Sequence, residues 1–163
     1  MKRARRCPRA RGFTLIELIV TVTIVALLAG AAVPLAELTL KRTREHELQS
    51  ALRQIREGID AYKRAWDERR IARSASESGY PQSLDQLVNG AADMASPARA
   101  QIYFLRRIPR DPTYADAGVP AAQTWGKRSY ASPPDDPREG ADVFDVYSLS
   151  ADIALNGVPY RQW

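Results

Sequence analysis

The order of apolar and polar positions first picks out one long apolar run near the start of the chain. Phe13 to Val33 is 21 residues long, and Glu17 is the single charge within it. As a helix rising 1.5 Å per residue, the run is long enough to cross a hydrocarbon core about 30 Å thick. It is longer than the apolar core of an ordinary secretory signal, and Pro34 leads directly into more helix-like sequence. The run therefore predicts a membrane-spanning anchor, with Pro34 as a helix kink, the exit from the membrane, or both.

A second helical pattern follows the apolar run. Its apolar residues are spaced by 4, 3, 4, 3 and 4 positions, which places them on one helix face: Leu48, Leu52, Ile55, Ile59, Tyr62 and Trp66. Charged residues fill the positions between them. The two patterns together predict one helix from about Phe13 to about Glu68, with Gly58 as a weak point. We interpret the apolar stripe as the core of a small domain, and a coiled-coil partner is the alternative.

The rest of the chain predicts short elements. Ser83 is placed to cap a short helix that Asn89-Gly90 ends, and two prolines mark a turn at 108–112. The stretch 91–100 has no clear pattern. Alternation predicts strands, which we place at 125–130, at 142–148 and within 153–163. The predicted fold class is α+β: a long N-terminal helix packed on a small antiparallel sheet of about three strands, in a pilin-like arrangement.

Positive charge is concentrated before the apolar run. Residues 1–12 contain six basic side chains and no acid, while the whole chain has a formal charge of +5. The remainder is therefore slightly acidic, and we exclude nucleic-acid binding as its function. A basic flank predicts that the N-terminal end lies in the cytoplasm. The one cysteine, Cys7, also lies in this segment, so no intrachain disulfide is expected.

The junction Arg11-Gly12-Phe13-Thr14-Leu15-Ile16-Glu17 resembles the processing site of type IV pilins and type II secretion pseudopilins. The resemblance implies that a prepilin peptidase cleaves after Gly12 and that Phe13 becomes the N-methylated first residue. It also implies that Glu17 pairs with the N-terminal amine of a neighbouring subunit, which would offset much of the cost of burying a carboxylate in an apolar environment. A glutamate near the lipid headgroups is the alternative. The implied domains are a leader at 1–12, a membrane and filament-core helix at 13–33, and a periplasmic domain at 34–163.

Motifs in the second half resemble the major pseudopilin of type II secretion. They occur in the family's order: Tyr80-Pro81, 105–112, Trp125-Gly126 with Tyr130, and 144–152. Three departures are visible: 113–124 separates the Asp-Pro and Trp-Gly elements, Ser150 is preceded by Leu149 with no glycine beside it, and Ile153 replaces a glycine after Asp152. These departures are also compatible with a minor or variant pseudopilin.

A calcium site in the C-terminal loop is a further implication of the resemblance, and Asp152 is its candidate ligand. Calcium needs six to eight oxygen ligands, several of them carboxylates. Beyond Asp152 the chain offers few, so solvent-facing loop acids are the alternative. No other cofactor is expected.

The resemblance implies a structural subunit of the type II secretion pseudopilus, which polymerises through its N-terminal helix to export folded proteins across the outer membrane. The implied location is the bacterial inner membrane, crossed once. The implied partners are other copies of the chain, minor pseudopilins, prepilin peptidase, the inner-membrane platform protein, the assembly ATPase and the secretin. The alternative is a type IV pilin or minor pilin for adhesion, motility or DNA uptake, which the lack of a cysteine after the leader disfavours.

Catalysis is not expected. The single histidine, His46, lies among charged residues of the long helix, and no metal-ligand spacing or glycine-rich phosphate loop is present.

Overall fold

The computed structural model describes residues 12–73 and 78–163. The predicted leader up to Arg11, with Cys7, and residues 74–77 of a predicted loop lie outside this range. The chain divides into two compact units, one ending at Leu40 and the other comprising Lys41–Trp163. The helices and strands are, in order, α1 (Leu15–Asp67), α2 (Leu84–Asn89), β1 (Ala91–Ala92), β2 (Gln101–Ile102), β3 (Trp125–Arg128) and β4 (Asp145–Ser148). The predicted α+β, pilin-like fold class is confirmed.

Helix α1 is 53 residues long and contains Pro34 within it. Because proline has no N–H, the carbonyl of Gly30 loses its helical hydrogen bond at this point. Threonines in the apolar half satisfy their hydroxyls locally. Thr21 Oγ1 donates to the Leu18 carbonyl at 2.9 Å, and Thr23 Oγ1 donates to the Ile19 carbonyl at 2.8 Å. Such bonds make a hydroxyl compatible with apolar surroundings.

The apolar stripe of α1 forms the core of the unit Lys41–Trp163, as predicted. Leu48 and Ile55 are fully buried, and Trp66 packs at the edge of the core, only partly buried. Side chains from later elements pack in the same core, including Leu84, Leu87, Leu105, Trp125 and Val146. Gly58 has a packing role beyond its low helix propensity. A Cβ there would lie 2.9 Å from Leu105 Cγ, so the glycine permits a close approach.

The sheet differs from the one predicted. Strands β1 and β2 form one antiparallel pair, and β3 and β4 form another, with Trp125 opposite Ser148 and Arg128 opposite Asp145. The predicted last strand within 153–163 is wrong. That segment has a single bridge from Ile153 to Pro159, followed by a 3₁₀ turn at Tyr160–Gln162. Pro159 cannot donate a backbone hydrogen bond, which stops strand pairing there.

Helix α2 begins and ends where the sequence indicates, but its cap differs from the predicted one. Ser83 occupies the N-cap position in extended backbone and makes no side-chain capping bond. Gly90, with φ of 75°, closes the helix in a conformation that favours glycine.

Candidate processing and assembly site

Three residues lead into the first turn of α1: Gly12, Phe13 and Thr14. Thr14 caps the helix, because the Glu17 backbone N–H donates to Thr14 Oγ1 at 3.3 Å and the Leu18 N–H donates to the Thr14 carbonyl at 3.2 Å. This Thr-x-x-Glu spacing is the start of a capping box. We did not assign this role to Thr14 from the sequence, although the spacing is a visible signal for it.

The peptide bond between Gly12 and Phe13 lies in exposed, non-helical backbone. The Phe13 side chain is 81% exposed, and among the described residues no atom other than those of Gly12 and its chain neighbours lies within 4 Å of the position that a Cβ on Gly12 would occupy. Exposed backbone outside regular structure is the kind that peptidases cleave most readily. The local geometry is therefore compatible with cleavage at this bond.

Glu17 lies in the first turn of α1 and is exposed. A carboxylate at this end of a helix interacts favourably with the helix dipole. Within residues 12–73 and 78–163, no hydrogen bond or ion pair engages the carboxylate itself. The Thr14 cap thus stabilises the first turn of α1. The Glu17 carboxylate is available to a cation that does not belong to the described residues.

The helix that follows is apolar and exposed. An 18-residue window within α1 has a mean hydropathy of 2.5, and none of that window is buried. By length and composition, this helix is suited to cross a membrane. The apolar segment therefore has Gly12, Phe13 and Glu17 at one end, and Pro34 lies beyond its other end. Asp152 belongs to the other unit.

The loop that contains Asp152 is held by protein contacts. The Lys41 ammonium donates to the Ile153 carbonyl at 2.7 Å, and the Glu45 carboxylate accepts from the Leu155 N–H at 2.7 Å and from the Tyr160 hydroxyl at 3.0 Å. The Asp152 carbonyl accepts from the Tyr160 N–H. Burial, with a contribution from the Glu45 carboxylate, raises the pKa of Tyr160 to about 12.

These contacts do not suit calcium. Several loop oxygens already accept hydrogen bonds, among them the Asp152 and Val158 carbonyls and Asn156 Oδ1, and the Ile153 carbonyl accepts from a lysine, whose charge would repel the ion. In the described part of the chain, no three His, Cys, Asp or Glu side chains are grouped closely enough to bind a metal. A calcium ion prefers six to eight oxygen ligands. The calcium site at Asp152 stays a prediction that the donor set does not favour, and we derive no step from it.

A buried carboxylate forms the other polar centre of this unit. Asp111 is fully buried; Thr113 N–H and Oγ1 donate to its Oδ1 at 2.7 and 2.5 Å, and Ser148 Oγ donates to its Oδ2 at 2.6 Å. The network joins the proline turn to β4. The sequence showed the turn but not this bond, because the two partners are 37 residues apart.

The comparisons with known proteins bear on the N-terminal region. Residues 7–33 match the family model of the prokaryotic N-terminal methylation motif. The matched range includes Gly12, Phe13 and Glu17 and ends just before Pro34; its first residues, up to Arg11, lie outside the described structure. The searches of curated proteins and of solved structures each found no match. The methylation motif together with the long N-terminal helix Leu15–Asp67 fits the type IV pilin superfamily.

Proposed function

We propose that this chain is a structural subunit of a type II secretion pseudopilus. One observation carries the proposal: the methylation motif matches 7–33, a range that includes the Gly12-Phe13 junction in exposed backbone directly before a long apolar helix. In this proposal residues 1–12 are a leader, 13–33 anchor the subunit in the inner membrane and later form the filament core, and 34–163 lie in the periplasm. The subunit has no catalytic role. Prepilin peptidase would release the leader and methylate Phe13.

Processing is tested on protein purified from its native membrane. Intact mass and N-terminal sequencing should give a chain that starts at Phe13 and carries one added methyl group. The variant Gly12→Glu should keep its leader, because a charged side chain then occupies the cleavage position. Gly30→Ala is the matched control, since the position a Cβ would occupy there is open. Wild-type protein that still starts at Met1 would overturn the proposal.

Assembly is proposed to depend on Glu17. After cleavage the Phe13 amine is a cation one helical turn away, and the exposed Glu17 carboxylate is available to the amine of a neighbouring copy. A buried ion pair in good geometry offsets much of its own desolvation cost, and removal of one partner leaves the other charge uncompensated. Glu17→Gln should therefore be cleaved normally yet yield no sheared filaments. Glu37→Gln, an exposed acid in the same helix, should assemble like the wild type.

Pro34 is proposed to weaken α1 locally as the helix leaves the membrane. The missing hydrogen bond to the Gly30 carbonyl lowers the cost of bending or partial melting there. Amide hydrogen exchange should be faster around 30–38 in the wild type than in Pro34→Ala. Equal exchange in both proteins would remove this role from Pro34.

Two observations favour a pseudopilin over the alternative, a type IV pilin or minor pilin. No cysteine follows the leader, so the C-terminal region has no intrachain disulfide. The motifs that resemble the major pseudopilin also contact one another, as Ser148 Oγ donates to Asp111 Oδ2 and Trp125 Nε1 donates to the Pro109 carbonyl at 2.8 Å. Deletion of the chain should stop export of folded proteins and leave surface motility and DNA uptake intact. The opposite phenotype would favour the pilin.

The partners in this proposal follow from the same role. The chain would polymerise with itself and meet minor pseudopilins, the platform protein, the assembly ATPase and the secretin. Cross-linking in cells that carry the whole machine should capture these contacts in wild-type protein and not in the uncleaved Gly12→Glu variant.

A further inference from the structure

The C-terminal loop exposes three apolar side chains. Ile153, Leu155 and Val158 are 56%, 41% and 36% exposed, and we call them the loop patch. The loop has a defined shape, because Ile153 pairs with Pro159 and the Ala154 N–H donates to the Val158 carbonyl at 3.0 Å. Exposed apolar side chains that lie together on one loop can mark a surface that contacts an apolar phase or a partner.

The loop patch is attached to the first residues of the unit Lys41–Trp163. The Lys41 ammonium donates to the Ile153 carbonyl, and the Leu155 N–H donates to Glu45 Oε1, both at 2.7 Å. Two of the three patch residues are thus bound through their own backbone to the segment 41–45. Wherever this segment lies, the loop patch lies beside it.

The segment 41–45 follows closely after the proposed membrane span. Lys41 is seven residues beyond Pro34 in the sequence, so it lies within about 25 Å of Pro34 whatever path the chain takes. Between them, Leu35, Leu38 and Leu40 are apolar and exposed, and Glu37 is an exposed acid. Because the headgroup region adds several ångströms to each side of the hydrocarbon core, this short connection keeps the segment 41–45 within reach of the membrane surface.

The same segment carries a net positive charge, because it has Lys41, Arg42 and Arg44 against the single acid Glu45. Arg42 and Arg44 are exposed, and in the described part of the chain neither takes part in a hydrogen bond or an ion pair. Basic side chains next to exposed apolar ones are typical of protein surfaces that bind anionic lipids. We commit to lipid as the occupant, because the membrane that would hold the anchor is close to the patch and its phosphates match the two unpaired arginines.

We propose that the loop patch, with Arg42 and Arg44, rests on an anionic phospholipid bilayer when the subunit is not assembled. The apolar side chains enter the headgroup layer, and the two guanidinium groups contact lipid phosphates. This contact would hold the globular unit against the membrane until a filament takes it up. The inference rests on the proposed function, since it requires the anchor at 13–33.

The test uses the full-length chain with Cys7→Ser, reconstituted in vesicles of phosphatidylglycerol and phosphatidylcholine. Single cysteines carry a fluorophore, and lipids with a nitroxide near the headgroup quench it. A label at Leu155→Cys should be quenched roughly threefold more than one at Met94→Cys, an exposed apolar position of the same unit. When Arg42→Ala and Arg44→Ala are added, quenching at position 155 should fall towards that of the label at Met94→Cys. Vesicles of pure phosphatidylcholine should give the same reduction.

Three results would overturn the inference. Equal quenching at 155 and 94 would show that the loop patch does not contact the bilayer. Quenching at 155 that is unchanged by the arginine substitutions would show that anionic lipid is not what the patch binds. The label at 155 could instead be protected from aqueous iodide without being quenched by lipid. If that protection rises with the protein-to-lipid ratio, the patch binds a second copy.

A label at Leu28→Cys separates the two proposals. If it is quenched while 155 is not, only this inference fails, whereas an unquenched Leu28 label removes the anchor and both proposals with it.

Discussion

Tyr160 and Glu45 are 115 residues apart in the sequence, yet the Tyr160 hydroxyl donates a 3.0 Å hydrogen bond to Glu45 Oε1. Tyr160 is almost fully buried, and its ring packs edge-on against Trp163 with 5.2 Å between ring centroids. The pair joins the end of the chain to the start of the globular unit. Several properties of the C-terminal region should follow from this bond.

Stability at high pH should depend on Tyr160. Burial raises the pKa of Tyr160 to about 12 in the folded chain, against an ordinary value near 10. Between these pH values the unfolded chain releases the proton and the folded chain keeps it. The free energy of unfolding should therefore fall as pH rises from about 10 towards about 12.

Urea unfolding in detergent, followed from about pH 9 to about pH 11.5, measures this effect. Tyr160→Phe should lower stability by roughly 1 kcal/mol at neutral pH and show a shallower loss at high pH, because it has no proton to release. Tyr103→Phe, at an exposed tyrosine, should follow the wild type. Parallel pH curves for the wild type and Tyr160→Phe would contradict the raised pKa.

Chelation of metals should leave the C-terminal loop unchanged. Lys41 and Glu45 already bind its backbone, so the loop has a means of closure that uses no ion. Thermal unfolding should give the same Tm in EDTA and in calcium, whereas Glu45→Ala should lower Tm in both because the Leu155 N–H and the Tyr160 hydroxyl lose their acceptor. Glu47→Ala, at an exposed neighbour, is the control. A Tm that rises with calcium would restore the calcium site at Asp152.

The buried Asp111 should tolerate even a small change poorly. In Asp111→Asn one acceptor oxygen becomes an NH₂ group, which would face donors from Thr113 or Ser148. An unmet buried hydrogen bond costs roughly 1–3 kcal/mol. Urea denaturation should show this loss, and Asp135→Asn, at an exposed loop acid, should change stability by less than about 0.5 kcal/mol. An equal effect in both variants would mean that the Asp111 network does not contribute to stability.

Arg56 should resist replacement by lysine. Its Nε donates to Asp145 Oδ1 at 2.8 Å, and its Nη2 donates to the carbonyls of Val146 and Trp163 at 3.1 and 2.6 Å. A lysine ammonium cannot reproduce this planar set of donors. In urea denaturation, Arg56→Lys should lower the free energy of unfolding by about 1 kcal/mol. It should also make the last residues more accessible to carboxypeptidase, because the hydrogen bond from Arg56 Nη2 to Trp163 is lost. Arg53→Lys, at an exposed arginine, should show neither change.

Local patterns in the sequence predicted the elements that depend on nearby residues. The 3–4 spacing from Leu48 to Trp66 gave helix α1 and its buried face, and the junction at Gly12-Phe13 gave the candidate site. Contacts between distant residues leave no such pattern. Arg56 with Trp163, Asp111 with Ser148 and Glu45 with Tyr160 could not be inferred, because each partner is an ordinary polar or aromatic residue in its own segment. The last predicted strand failed for a related reason, since Pro159 and the turn after it ended the pairing.

Gly126, the glycine of β3, should not tolerate replacement by alanine. It lies opposite Tyr147 in β4, and a Cβ on Gly126 would lie 2.3 Å from the Tyr147 ring. The clash would force the strands apart or turn the ring out of its place, at a cost of roughly 1–3 kcal/mol. Urea denaturation of Gly126→Ala measures that cost. The matched test is the same substitution in a Tyr147→Ala background, where the ring is absent and the added methyl should cost far less. If Gly126→Ala is equally destabilising in both backgrounds, the ring is not the cause, and the glycine would be required by the backbone of β3 itself.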